Sequence, residues 1–185
     1  MTTDSATESD QVLAERARED RAVFGLLYDR YVERVYRYCH RRLGNCPDAE
    51  DVTSVVFLRA MECIGSYRGG SFAAWLFAIA RSSLADRFRE RSFGSLDAAG
   101  ELIDANPRPE DVAMHAAEVD SIRSLLSELT LDQREMLELR LSGLDGQEIA
   151  TVMNLSADAV KMLQFRAMQR LRIAAAAGEK DRWLT

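Results

Sequence analysis

The stretch of this chain best suited to chemistry is Gln147 to Leu171, QEIATVMNLSADAVKMLQFRAMQRL, whose spacing is that of a helix-turn-helix. Small Ala150 lets two helices approach, Asn154 tolerates the left-handed backbone of a tight turn, Ser156 supplies an N-cap oxygen, and Val160 locks the second helix onto the first. Lys161, Arg166, Arg170 and Arg172 follow on that second helix, with no acidic residue between Asp158 and Ala177. Such a helix can offer positive charge to a DNA major groove while its first turns reach base edges. There Lys and Arg bond guanine, Gln bonds adenine, and an apolar side chain meets the thymine methyl. Taken alone, the segment also fits a helical hairpin with a solvated basic face, because short helix-turn-helix matches are common.

Enzymatic chemistry finds fewer partners. His40 sits between Cys39 and Arg41 in a basic helix and His115 in a polar linker; neither a Gly-rich phosphate loop nor an HExxH pattern occurs. Cys39, Cys46 and Cys63 are odd in number and lack CxxC spacing, which argues against a disulfide framework or a zinc site and for buried or half-buried thiols. No catalytic residue, metal or cofactor is expected.

The elements that position these groups are helical. Of 185 residues, 47% are hydrophobic and 29% charged, an ordinary globular balance. No apolar run approaches the roughly 18 residues that span a bilayer. The opening MTTDSATESD lacks the basic-then-apolar pattern of a signal peptide, so a cytoplasmic protein is expected. A net charge of −6 excludes coating of nucleic acid by bulk electrostatics and leaves local patches to decide. With three prolines and no alternating strand pattern, the chain reads as all-α, in two small helical domains joined by a flexible acidic linker.

Residues 1–19 are expected to form a mobile acidic tail and a short helix. Residues 20–91 form the first domain, with helices over about 20–43, from Pro47 to near Ser66, and from an N-cap at Ser71 with Phe72, Trp75, Ile79 and Phe88 facing inward. Residues 92–118 are the linker, rich in acids and broken by Gly94, Gly100, Pro107 and Pro109. Residues 119–177 form the second domain, its helices marked by Ile122 to Leu129, Met136 to Leu141, 146–154 and 157–177; 178–185 is a tail.

From Phe24 to Arg172 the chain resembles an extracytoplasmic-function (ECF, group 4) sigma factor of the sigma-70 family. Four segments in order carry the likeness: FGLLYDRYVERVYRYCHRRLG, PDAEDVTSVVFLRAM, SFAAWLFAIARSSLADRFRER and LTLDQREMLELRLSGLDGQEIATVMNLSADAVKMLQFRAMQRLR. The resemblance implies an alternative sigma factor that binds core RNA polymerase and directs initiation at minus-thirty-five and minus-ten elements. Its partners would be the beta-prime clamp helices, the beta flap, promoter DNA and an anti-sigma factor. The free chain would be monomeric, without membrane insertion, and cytoplasmic or held at the membrane by its anti-sigma factor.

Residue by residue, the resemblance assigns Lys161, Phe165 and Arg166 to the minus-thirty-five element, with Gln164 and Arg170 as further candidates on the same helix. It assigns Tyr67, Arg68, Arg81, Ser82, Arg87 and Arg91 to the single-stranded minus-ten element, where cations hold phosphates and a stacking surface traps a base. Asp48, Asp51, Phe57 and Arg59 fall to core-polymerase docking. Val55 stands where relatives commonly carry an acid, and Met162-Leu163 where they often carry Ser-Arg. Those departures motivate a second reading: a sigma-like regulator that binds core or an anti-sigma factor without productive initiation.

Overall fold

A computed structural model of the chain describes residues 8–94 and 126–182, and every regular element among them is a helix. The first unit holds α1 (Asp10–Ala17), α2 (Phe24–Leu43), α3 (Cys46–Cys63) and α4 (Phe72–Gly94); the second holds α5 (Leu131–Leu141), α6 (Gly146–Met153) and α7 (Ala157–Arg182). Single 3-10 turns at Arg21–Val23 and Ile64–Ser66 precede α2 and follow α3. Helix α4 runs on through the first three residues of the expected linker, 92–94; the rest of that linker and most of the expected helix at Ile122 to Leu129 lie outside the described residues.

Local chemistry sets the ends of these helices. Gly44 takes φ 73° to stop α2, and the Asn45 side chain accepts from the Asp48 amide to start α3, with Pro47 in the first turn. Ser71 Oγ accepts from the Ala74 amide at the head of α4. Reciprocal capping boxes, Thr130 with Gln133 and Asp145 with Glu148, start α5 and α6.

In the first unit, Leu27, Tyr31, Val35 and Tyr38 of α2 pack against Val52, Val56 and Ala60 of α3 and against Leu76, Phe77, Ala80 and Leu84 of α4. Tyr38 and Phe77 have ring centroids 5.4 Å apart, and Tyr31 and Phe72 meet edge to face at 5.3 Å. The inward face of α4 departs from expectation: of the four residues expected there only Phe72 is fully buried, Trp75 and Ile79 are half-buried, and Phe88 is 38% exposed. The start of α4, FAAWLFAIA, is apolar all round, so periodicity alone does not fix its phase. The reason is visible in the packing: α4 covers α3 on one side and meets α6 of the second unit on another. The thiols also divide unexpectedly, Cys39 being buried while Cys46 and Cys63 are exposed.

The second unit closes around Met136, Leu139, Leu144, Ile149, Val152, Val160 and Ala167. Asn154, at φ 54°, makes the turn between α6 and α7, and Ser156 Oγ accepts from the Ala159 amide to start α7, both as the spacing predicts.

Candidate nucleic-acid and polymerase interfaces

The α6–α7 turn is held by the Leu155 amide donating to the Ala150 carbonyl at 2.9 Å, so α7 projects from the second unit with one face free. Val160, Leu163, Ala167 and Leu171 face inward or pack on the core. Lys161, Met162, Phe165 and Arg166 are exposed. Among the described residues Lys161 pairs with Asp158 alone, one turn away at 3.2 Å and largely in solvent, a weak tie. Arg166 has no hydrogen bond or ion pair to another described residue. Gln164 Oε1 accepts from Arg140 at 3.4 Å, and Arg170 reaches back to the Glu128 carbonyl and Gln133 Oε1. Of the five candidates, then, three lie on the free face and two brace the unit.

In the first unit, Tyr67 is fully buried. Its ring meets Phe72 and Trp75 edge to face at 6.0 and 5.7 Å, and its hydroxyl donates to the Gly70 carbonyl at 2.7 Å. It shapes the loop and offers no stacking surface in this conformation, because the aromatic cluster beneath the loop removes it from solvent. Arg68 is exposed and donates to the Gly65 carbonyl, and Ser82 is exposed on α4. The other α4 cations are engaged: Arg81 forks onto Glu135 of α5 at 2.8 and 3.4 Å, while Arg87 and Arg91 both donate to Asp48.

Asp48 is therefore no free docking carboxylate. It is buried at the head of α3, and hydrogen bonding from Arg87, helped by Asn45 and Arg91, holds its carboxyl below the usual range. Phe57 is likewise internal, 4.7 Å from the Tyr28 ring, because α2 covers it. Arg59 bonds Ser83 and Asp86, tying α3 to α4 and holding the Asp86 carboxyl down. Of the docking candidates only Asp51 stands on the exposed stripe of α3, with Ser54, Val55, Leu58 and Glu62. Leu58 and Tyr28 were missed by sequence reasoning; the three- and four-residue steps from Asp51 point to Val55 and then to Leu58.

The structure also joins the two units. Arg34 and Arg41 of α2 donate to the carbonyl and hydroxyl of Ser142 at 2.9 and 2.6 Å, and Arg42 pairs with Glu138 at 3.3 Å. These cations cap the negative end of α5. Gly143, at φ 87°, lies under Arg34, where any Cβ would come within 3.1 Å of the guanidinium. Ser71 donates to Glu148 at 2.6 Å. Burial pushes the Glu138 carboxyl up, against the pull of Arg42 and Arg41. Sequence reasoning missed this set, because no local signal links residues about a hundred positions apart.

The sigma-70 region 2 family matches residues 27–93, and the sigma-70 region 4 family matches residues 120–171. The chain is 40% identical to the ECF RNA polymerase sigma factor BldN of Streptomyces coelicolor over 177 residues, spanning 90% of this chain and 67% of that one. Two solved structures share the fold. CnrH in complex with the cytosolic domain of CnrY has TM-score 0.70 and 23% identity, covering 92% of this chain and 99% of the other. The sigma factor RpoE in complex with the anti-sigma factor NepR from Bartonella quintana has TM-score 0.65 and 22% identity, covering 83% and 96%. A region 2 unit, a region 4 helix-turn-helix and a relative of this identity together place the chain in the ECF group of the sigma-70 family, the alternative sigma factors that direct transcription initiation.

Proposed function

We propose that α7 enters the major groove of the minus-thirty-five element, that the loop before α4 and the α4 arginines hold the opened minus-ten strand, and that the exposed stripe of α3 docks on the beta-prime clamp helices. The observation that carries this reading is the free face of α7, where Lys161, Phe165 and Arg166 stand exposed beyond a well-formed turn. Gln164 and Arg170 support the helix and reach DNA only by leaving their present partners. On α4, Arg81, Arg87 and Arg91 now bond carboxylates, and phosphates replace those partners when the strand binds. Arg68 and Ser82 are already open to solvent. A mixed stripe of Asp51, Val55 and Leu58 suits a transient protein interface.

The domain division at residues 20–91 and 119–177, with an acidic stretch between, gives each unit its own element to read, and region 4 also meets the beta flap. Nucleotide addition belongs to the polymerase, and the chain itself performs no catalysis. Among the described residues no helix is long and apolar enough to cross a membrane, in keeping with a cytoplasmic factor or one retained by an anti-sigma partner of the kind seen with the related fold.

The test separates docking from opening. Asp51→Arg and Leu58→Glu should lower affinity for core polymerase, whereas Arg68→Ala and Arg81→Ala should leave core binding intact and reduce permanganate reactivity of promoter thymines. Normal reactivity in both arginine variants would overturn the minus-ten assignment.

A further inference from the structure

The free face of α7 carries apolar side chains among its cations. Met162 is 50% exposed and Phe165 58% exposed, one turn apart, while Leu163 between them packs inward. Phe165 lines a cleft along the helix with Lys161, Met168, Gln169 and Arg172, and Met162 stands beside it next to Lys161. No carboxylate follows Asp158 on this helix as far as Ala177. An apolar pair flanked by the cations Lys161 and Arg166 suits a polyanion that offers small apolar knobs, and the thymine C5 methyl in the major groove is such a knob. Spacing agrees: three residues advance about 4.5 Å along a helix, close to the roughly 3.4 Å between stacked bases. Methionine has the flexibility to seat on a methyl group whose position is set by neighbouring phosphate contacts.

We infer that Met162 and Phe165 form a paired methyl reader, each covering the C5 methyl of one of two neighbouring thymines in the upstream promoter element. Specificity there then comes from the pyrimidine C5 substituent, with Lys161 and Arg166 fixing register. This rests on α7 being the groove-entering helix.

The experiment uses holoenzyme assembled from the full chain and core polymerase, with a promoter selected from a library randomised in its upstream element. Thymines of that element are replaced singly by deoxyuridine, which keeps the hydrogen-bonding edge and lacks only the methyl. Binding is expected to weaken about fourfold at each of two neighbouring positions, the equivalent of one buried methyl group. Met162→Ala, a surface change, should abolish the penalty at one position and leave the other. Lys161→Ala should weaken thymine and deoxyuridine templates alike. Equal binding of thymine and deoxyuridine templates, with Lys161→Ala still weakening both, overturns the methyl reader alone. If Lys161→Ala and Met162→Ala both bind as wild type, the placement of α7 in the groove falls with it. Loss of affinity for an anti-sigma protein in Met162→Ala, with both deoxyuridine penalties intact, would make the face a protein-docking site and equally overturn the inference.

Discussion

At the scale of single residues, side chains on one helix divide by what already holds them. Arg166 has no partner among the described residues and Lys161 only an exposed neighbour, so their groups are available to DNA. Arg170 braces α7 against Glu128 and Gln133. Lys161→Ala or Arg166→Ala should therefore weaken promoter-duplex binding, by about 1 to 3 kcal/mol for a bidentate base contact and less for a phosphate contact, with the melting temperature unchanged. Arg170→Ala should do the reverse, lowering the melting temperature more than affinity. Fluorescence anisotropy and thermal unfolding of the three variants distinguish the cases. This division was only half legible in the sequence. The family resemblance pointed to Lys161, Phe165 and Arg166, which stand outward, but a basic residue that bonds a carbonyl forty positions away looks the same in sequence as one that does not.

Among the elements, turns and caps were the most legible, because each depends on a residue with one conformational or hydrogen-bonding talent. Asn154 at φ 54° is the clearest case. Asn154→Val should cost about 1 to 3 kcal/mol through strain in the left-handed region and disturb promoter binding with it, whereas Asn154→Gly should be tolerated in both; chemical denaturation measures the difference. The α3–α4 junction was the least legible. Asp48, at the first turn, resembles an ordinary helix-capping acid or a docking acid, yet the fold brings Arg87 and Arg91 from the end of α4 onto it. Because this pairing holds the Asp48 carboxyl below its usual range, its contribution to stability is present above the unfolded value near 3.8 and is lost as pH falls through the depressed folded value. Asp48→Asn should lower stability at neutral pH and flatten the loss of stability in strong acid. Stability of Asp48→Asn equal to wild type at pH 7 would show that the junction does not depend on this charge. The phase of α4 was hidden for a different reason: a helix buried on two sides has no single apolar stripe to read.

In the whole molecule, the two units meet through cations of α2 and α4 on the acids and carbonyl end of α5, and through Ser71 on Glu148. Arg81, a candidate for strand capture, is one of these ties, so in the proposed function the group that captures the strand must first leave the tie between the units. Glu135→Arg sets two guanidinium groups against each other. It should increase the radius of gyration of the free chain in small-angle scattering, as should raised salt acting on wild type; an unchanged radius would show that the arrangement does not depend on the Arg81–Glu135 pair. The order of the two units was plain in the sequence and their mutual docking was not, since the contacts that make it depend on helix phases fixed only by folding. The most direct measurement of the central claim is run-off transcription with core polymerase on a genome-derived promoter pool, mapping start sites with and without this chain. The expected result is a set of new starts that share two upstream motifs at constant spacing; binding to core with no new starts would contradict it.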